Sequence, residues 1–295
     1  MQFDPKQLRA LAAILRLGSF EAAAAELAVT QSAISQRIRA LEERVGMALV
    51  ERGTPCIGTE AGLRIAKHAE DVGLLEAQLS RDLSLEVARK PTRLRVAINA
   101  DSLATWFIDA MAQIEGVLFD LVIDDEGHSA DWLRRGAVSA AIGSGPRPVP
   151  GCDVTPLGNL RYLATASPIY CKRWFADGVT SQTLSTAPCM TFNRKDELQR
   201  TWIEQAIGQR VAPPSHFLPS THAFVDAARA GLGWGMNPEP LVRAHIDDGQ
   251  LVELLPDQPL DVALSWQVSR VMALALSPLT RAVKQAAAGR LIRHL

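Results

Sequence analysis

The stretch that decides the fold is Ser19 to Gly46, SFEAAAAELAVTQSAISQRIRALEERVG. Four consecutive alanines, Ala22 to Ala25, let one helix approach another more closely than large side chains would permit. Ser19 suits the N-cap of a short helix carrying Phe20, Ala23, Ala24 and Leu27. Thr30 can cap the next helix, where Ile34, Ile38, Leu41 and Val45 recur at helical spacing until Gly46 stops it. Only Ala28-Val29-Thr30 lies between the two, room for a tight corner and nothing more. Upstream, Leu8, Leu11, Ile14 and Leu15 form the apolar face of a first helix that Gly18 ends. The layout is a helix-turn-helix.

The third helix also has a polar face. Ser32, Ser35, Gln36 and Arg39 stand at i, i+3, i+4 and i+7, opposite its apolar stripe. Glutamine can pair bidentately with adenine, arginine suits guanine or phosphate, and serine suits either. Thr30 and Gln31, at the helix start, are placed for phosphate, where free amides and the helix dipole favour anions. The bland alternative is a solvated helix exterior, and gross charge does not decide between them. Residues 1–60 hold seven Lys/Arg and seven Asp/Glu, and the whole chain of 295 residues has a net charge of −1. Position must carry the case for nucleic acid.

Position does carry it once the flanks are read. MALVERGTPCIGTEAG (47–62) gives a short apolar strand and a turn-rich tip, a β-wing on which Arg52 would reach backbone or minor groove. Thr59 can then cap a long helix, roughly Glu60 to Arg89, with the stripe Ile65, Ala69, Val72, Leu75, Leu79 and Leu83. A stripe that long is expected to pack on a second copy of itself, giving a homodimer, rather than back on its own chain. Three helices, a wing and a dimer helix together favour DNA readout.

After Lys90-Pro91-Thr92 the pattern changes to α/β. LRVAIN (94–99), FDLVID (119–124) and AVSAAIG (137–143) read as strands, separated by helices through Trp106 and Met111 and over Ala130–Arg135. Such alternation implies a parallel sheet. A second α/β stretch follows from Pro168, with strands near Cys189–Asn193 and His216–Pro219 and helices near Glu197–Ile207 and His222–Ala230. VALSWQV (262–268) and a helix from Pro278 close the chain. Two α/β halves joined by two crossings would enclose a cleft, and ligands of such sheets bind beyond the strands' carboxyl ends. Asn99, Asp101 and Ser102 stand beyond the first strand, and Ser102 with the amides of Leu103 and Ala104 could seat a carboxylate. Asp101, Asp124 and Glu126 are candidate partners for a ligand's amines, and Ser144 follows the third strand. Each has a plainer role as a helix cap or solvated side chain. Trp106 reads as core, and GLGWG (231–235) as a helix end before a tight strand rather than a phosphate loop.

Catalysis finds no foothold: the sequence has no GxSxG elbow, no HExxH and no P-loop. Six histidines (68, 128, 216, 222, 245, 294) lack metal-ligand spacing, and Cys56, Cys152, Cys171 and Cys189 form no CxxC pair, so no metal, disulfide or cofactor is expected. About 47% hydrophobic and 21% charged residues, with no signal segment or apolar span, suggest a soluble cytoplasmic protein with no membrane partner.

QSAISQRIRALEERVGMALVER (31–52), in this layout, resembles the LysR-type transcriptional regulators. Phe20, Ala23, Ala24, Leu27, Gln31, Ser32, Ser35, Ile38, Leu41, Glu42, Gly46, Leu49, Arg52, Thr59 and Gly62 fall where that family's motif has them. Ser32 and Gln36 stand where members often carry proline and arginine, so the contact scheme transfers in position but not in chemistry. The resemblance implies an α/β fold behind an all-α N-terminal domain. Residues 1–59 would be a winged helix-turn-helix, 60–90 a linker and dimerisation helix, and 91–295 a two-lobed module like the periplasmic binding proteins. Lobe I would cover about 91–163 and 266–295, and lobe II about 164–265. Thr221 resembles positions where members contact their effectors. NADSLATW (99–106) with ARAGLGWGM (228–236) is similar to the ArgP/LysG-type subgroup, which senses lysine or arginine and controls basic amino-acid export. Expected partners are therefore double-stranded DNA with an inverted-repeat operator, a basic amino acid, a second copy or dimer of dimers, and RNA polymerase. The alternatives are a different effector, such as an aromatic acid or redox signal, and a ligand-binding module or enzyme without DNA function.

Overall fold

In the computed structural model, which describes residues 2–84, 91–124, 129–144 and 148–293, the N-terminal helices begin and end where side chains cap them. α1 (Pro5–Leu17) starts under Asp4, whose carboxylate accepts from Lys6 N at 2.7 Å, and stops at Gly18 in the left-handed region, φ 67. Ser19 caps α2 (Phe20–Glu26) and Thr30 caps α3 (Gln31–Val45). Leu11, Ile14, Ala23, Ile34 and Leu41 have no exposed surface, so the three helices share one small core. The corner is tight enough that Ala28 takes φ 53, a left-handed conformation that a non-glycine residue adopts at a cost of about 1 kcal/mol.

The wing explains several motif residues physically. β1 (Val50–Glu51) pairs antiparallel with β2 (Ile57–Gly58). Glu42 Oε1 accepts from Leu49 N at 2.8 Å, tying the end of α3 to the wing. Thr59 donates to Ala48 O at 2.9 Å and accepts from Gly62 N at 3.1 Å, capping α4 (Glu60–Asp82) as it does so. At Gly62 the helix passes so close to the wing that a Cβ would lie 1.9 Å from Leu49 O. Only glycine fits there.

α4 packs against α1 and the effector-side strand β3 (Thr92–Ile98). Gly62, Ala66, Lys67 and Leu74 are its buried residues, while Leu75, Leu79 and Leu83 of the expected stripe are 38%, 58% and 59% exposed. The stripe is thus divided: Ile65, Ala69 and Val72 are partly buried, Ile65 against the N-terminal core, while its C-terminal leucines are exposed. Residues 85–89 of the expected helix lie outside the described residues.

The remaining chain builds one mixed sheet and a small second one. After β3 comes a helical run made of α5 (Ala100–Ser102), a π-helical turn at Leu103–Phe107 and α6 (Ile108–Met111). Then follow β4 (Val117–Ile123), α7 (Ser129–Arg134), β5 (Ala140–Ser144) and the long β6 (Cys152–Ala166). α8 (Pro168–Trp174), α9 (Ser181–Thr186), β7 (Cys189–Thr191), α10 (Leu198–Ile207), β8 (Ser215–Phe217) and α11 (Thr221–Arg229) come next. β9 (Gly235–Pro238), α12 (Glu239–Asp247), β10 (Val252–Glu253), β11 (Leu260–Ser269) and α13 (Ser277–Ala288) complete it.

The sheet order is β10-β6-β11-β5-β3-β4, with β9 also on β6. β3 pairs parallel with β4 and β5, as βαβ alternation requires. The parallel sheet expected from these three strands is thus present, and beyond β5 the sheet becomes mixed: β6, β9, β10 and β11 join antiparallel. β7 and β8 form the separate parallel pair, to which Trp234 adds an isolated bridge. Trp106, Trp202, Trp234 and Trp266 are all essentially unexposed, so the tryptophans fill the core, as does the Gly-rich turn before β9. There a Cβ on Gly235 would lie 2.4 Å from the Phe224 ring.

Candidate functional site

Two surfaces collect the candidate residues. On α3, Gln31, Ser32, Gln36 and Arg39 are exposed and Ser35 is half-buried, one polar face above a buried stripe. Thr30 is committed to structure: its hydroxyl accepts from Ala33 N at 3.2 Å and lies 2.9 Å from Ser32 Oγ. Arg52 is exposed on the wing, with its guanidinium 5.3 Å from the centroid of the Phe20 ring. That stacking holds the cation beside α2 without neutralising it.

The second surface is a cavity of about 450 Å³ between the carboxyl ends of β3, β4 and β5 and the elements around β7, β9 and α11. Asn99, Asp101, Asp124, Ser144 and Thr221 all line it, although they come from four places in the chain. Asp101 joins the two sides. Its Oδ2 accepts from Tyr162 at 2.8 Å and its Oδ1 from Thr221 at 2.7 Å. Asp124 accepts from Trp132 Nε1 at 2.9 Å through Oδ2, while its Oδ1 faces Lys195 Nζ at 3.6 Å.

Ser102 is the exception. It is fully buried, does not line the cavity, and its hydroxyl has no hydrogen-bond partner. The carboxylate seat expected at Ser102, Leu103 and Ala104 is displaced because helix starts at Ala100, and Leu103 N already donates to Asn99 O at 3.2 Å. About 100° of helical rotation per residue turns Ser102 inward. Asn99 stands at the mouth instead: it is 2% exposed, makes no side-chain cap bond, and leaves both amide atoms unpartnered beside the cavity. A buried amide without partners costs stability unless something else binds it. A π-turn follows α5, at Leu103–Phe107, and is of a kind found often at functional sites.

Lys195 and Asn237 also line the cavity and were not among the sequence candidates. Asn237 is fully buried and donates to Thr165 Oγ1 at 3.0 Å, leaving its carbonyl oxygen unpartnered. No local pattern marks either residue, since a lysine in a turn and an asparagine in a strand are common. Glu126 and His128 lie outside the described residues, and His222 is exposed and does not line the cavity. Among the described residues the cavity lining is acidic: Asp101, Asp124, Asp196, Glu197 and Asp261 surround one cation, Lys195. Asp261 is held bidentately by Arg161 at 2.8 Å, Glu197 pairs with Arg200 at 3.0 Å, and Asp196 accepts from Phe192 N and Leu198 N at 2.9 Å. Among the described residues no cluster of three metal-ligating side chains occurs, and no helix is long and apolar enough to cross a membrane.

Residues 5–63 match the model of the bacterial regulatory helix-turn-helix protein, lysR family, and residues 89–288 that of the LysR substrate binding domain. The crystal structure of ArgP from Mycobacterium tuberculosis superposes with a TM-score of 0.82 at 42% identity, covering 100% of both chains. The full-length LysG of Corynebacterium glutamicum with bound effector Arg gives 0.68 at 36% identity, covering 98% of this chain and 100% of that one. A lysine export transcriptional regulatory protein, LysG, of Corynebacterium glutamicum is 38% identical over 291 residues, 96% of this chain and 98% of its own.

Proposed function

The chain belongs to the LysR family of DNA-binding transcriptional regulators, and from that premise we propose that it is a sensor of basic amino acids controlling genes for their export. The observation that carries this is the cavity's chemistry: carboxylates at Asp101 and Asp124 facing a buried, unpartnered amide at Asn99. Lysine or arginine has two cationic groups and one carboxylate. Asp101 and Asp124 would take the cations, while Asn99 and the amides that open the helix at Ala100 would take the carboxylate. Thr221 and Ser144 would complete the polar lining. The similar structure that holds arginine supports the same ligand class.

The ligand can act only through unequal affinity for two arrangements of the protein. Asp101–Thr221 and Asp124–Lys195 each link opposite walls of the cavity, so a ligand bound between them would change how the walls close. The exposed leucines Leu75, Leu79 and Leu83 on α4 would pair with a second copy, giving a cytoplasmic homodimer or dimer of dimers. Duplicated α3 helices would then read an inverted-repeat operator through Gln36, Arg39 and Ser35, with Thr30, Gln31, Ser32 and Arg52 nearer the backbone. Rearrangement of the subunits would alter DNA bending and contact with RNA polymerase. Calorimetric titration with arginine, lysine and histidine against a panel of aromatic acids tests the effector. Absence of heat with every basic amino acid at millimolar concentration would refute it.

A further inference from the structure

Lys195 places an ammonium group in the cavity at the carboxylate that a cationic ligand needs. It lies in the turn between β7 and α10, whereas Asp124 follows β4, so their 3.6 Å ion pair crosses from one wall to the other. Among the described residues lining the cavity, Lys195 is the one cationic side chain. We propose that Lys195 is an internal competitor for Asp124, a built-in cation that the effector's own charged group displaces on binding. The inference rests on the basic amino-acid reading of this cavity.

Geometry makes displacement feasible. A charge-assisted N–H···O bond closes to roughly 2.7–2.9 Å, so at 3.6 Å the lysine is near its partner without a tight hydrogen bond. The Lys195 side chain is 56% exposed and Asp124 18%, so the ammonium can leave for water while the carboxylate stays put. Asp124 is held from behind by Trp132 Nε1, which fixes the acceptor when the lysine moves. A guanidinium offers a rigid fork to a carboxylate, which an ammonium on a flexible stem does not. In this account Lys195 sets the concentration at which the sensor responds, and favours ligands that bring a positive charge of their own. A neutral ligand of the same shape gains nothing by dislodging it.

The opposite assignment, in which Lys195 binds the ligand's carboxylate, predicts the opposite sign. Calorimetry on the full-length chain separates the two, using arginine and its neutral isostere citrulline with wild type, K195M, D124N and the double variant. K195M should bind arginine more tightly by about threefold to fivefold, the range of a released exposed ion pair, with citrulline unchanged. D124N should bind arginine about tenfold more weakly, and K195M should give no gain on the D124N background. Weaker arginine binding by K195M, or an equal gain with citrulline, would overturn the proposal. Wild type that binds no basic amino acid overturns the effector reading, and this inference with it, in a row of data that involves no variant.

Discussion

The α3 face and the effector cavity are two recognition surfaces built in opposite ways. Ser32, Ser35, Gln36 and Arg39 fall within eight consecutive positions, and the helix itself brings them to one face. Asn99 and Asp101 share one helix start, but Asp124, Lys195, Thr221 and Asn237 come from other elements, and all meet because one mixed sheet and a small parallel pair bring their ends together. A surface made by one element is as stable as that element's packing. One made by many depends on their relative positions, which a ligand can therefore change. On the proposed function, this contrast would put sensing in the second region and fixed reading in the first.

Separability is the sharpest test of that contrast. Gly62→Ala would drive a methyl group into Leu49 O and should destabilise the N-terminal domain by about 3 kcal/mol, seen as an early separate transition in urea with loss of DNA shift. Arginine binding measured in the same preparation should survive; its loss would mean the two regions fold as one. Next in size, Arg39→Ala should weaken operator binding by about 2 kcal/mol in a gel shift and leave arginine calorimetry untouched. Asp101→Asn should act the other way round. It keeps an acceptor for Tyr162 or Thr221 but loses the charge, and should cost about 1–2 kcal/mol of arginine affinity with unchanged DNA affinity in the absence of ligand.

The smallest effect concerns the joint between the regions. On α4, Lys67 donates to Asp71 at 2.6 Å and to Ser139 at 2.7 Å, and Ser139 donates to Asp71 at 2.9 Å, fastening the helix to the start of β5. Glu70 beside them has its carboxyl raised above the ordinary 4.5, mainly by burial and also by Asp120 and Asp71, against the opposing pull of Lys67 and Arg95. A raised carboxylate favours the protonated fold, so this contribution is present below about pH 4.5 and lost as pH rises through the raised value. Glu70→Gln should therefore be the more stable protein at pH 7 in urea melts, with the difference vanishing below pH 4.5. Greater stability of the wild type at pH 7 would show that Glu70 is used as an anion.

Much of this was legible in the chain, for identifiable reasons. α2 and α3 begin at Ser19 and Thr30, and α1 and α3 end at Gly18 and Gly46, all signals within a few residues of the boundary they set. In the effector region α10, α11 and β11 lie within about two residues of their expected limits, because their apolar periods are local too. The antiparallel joins of β6, β9, β10 and β11 were not legible, since strand direction depends on which distant segment is met. Nor was the inward turn of Ser102, which follows from a helix beginning two residues earlier than the seat had required.

The sequence alone determined the helix-turn-helix and its wing, and placed the polar face of α3 and the carboxylates that the proposed function assigns to DNA and to a cation. Periodicity and capping are short-range, so each of these is encoded where it is used. Tertiary structure decided which carboxylates face the same space, that Asn99 rather than Ser102 stands at its edge, and that Lys195 reaches Asp124 across it. Those relations join residues from different elements, such as Asp101 with Asp124 and Asp124 with Lys195, or hinge on a single helical step. Such distances close only when the sheet is assembled.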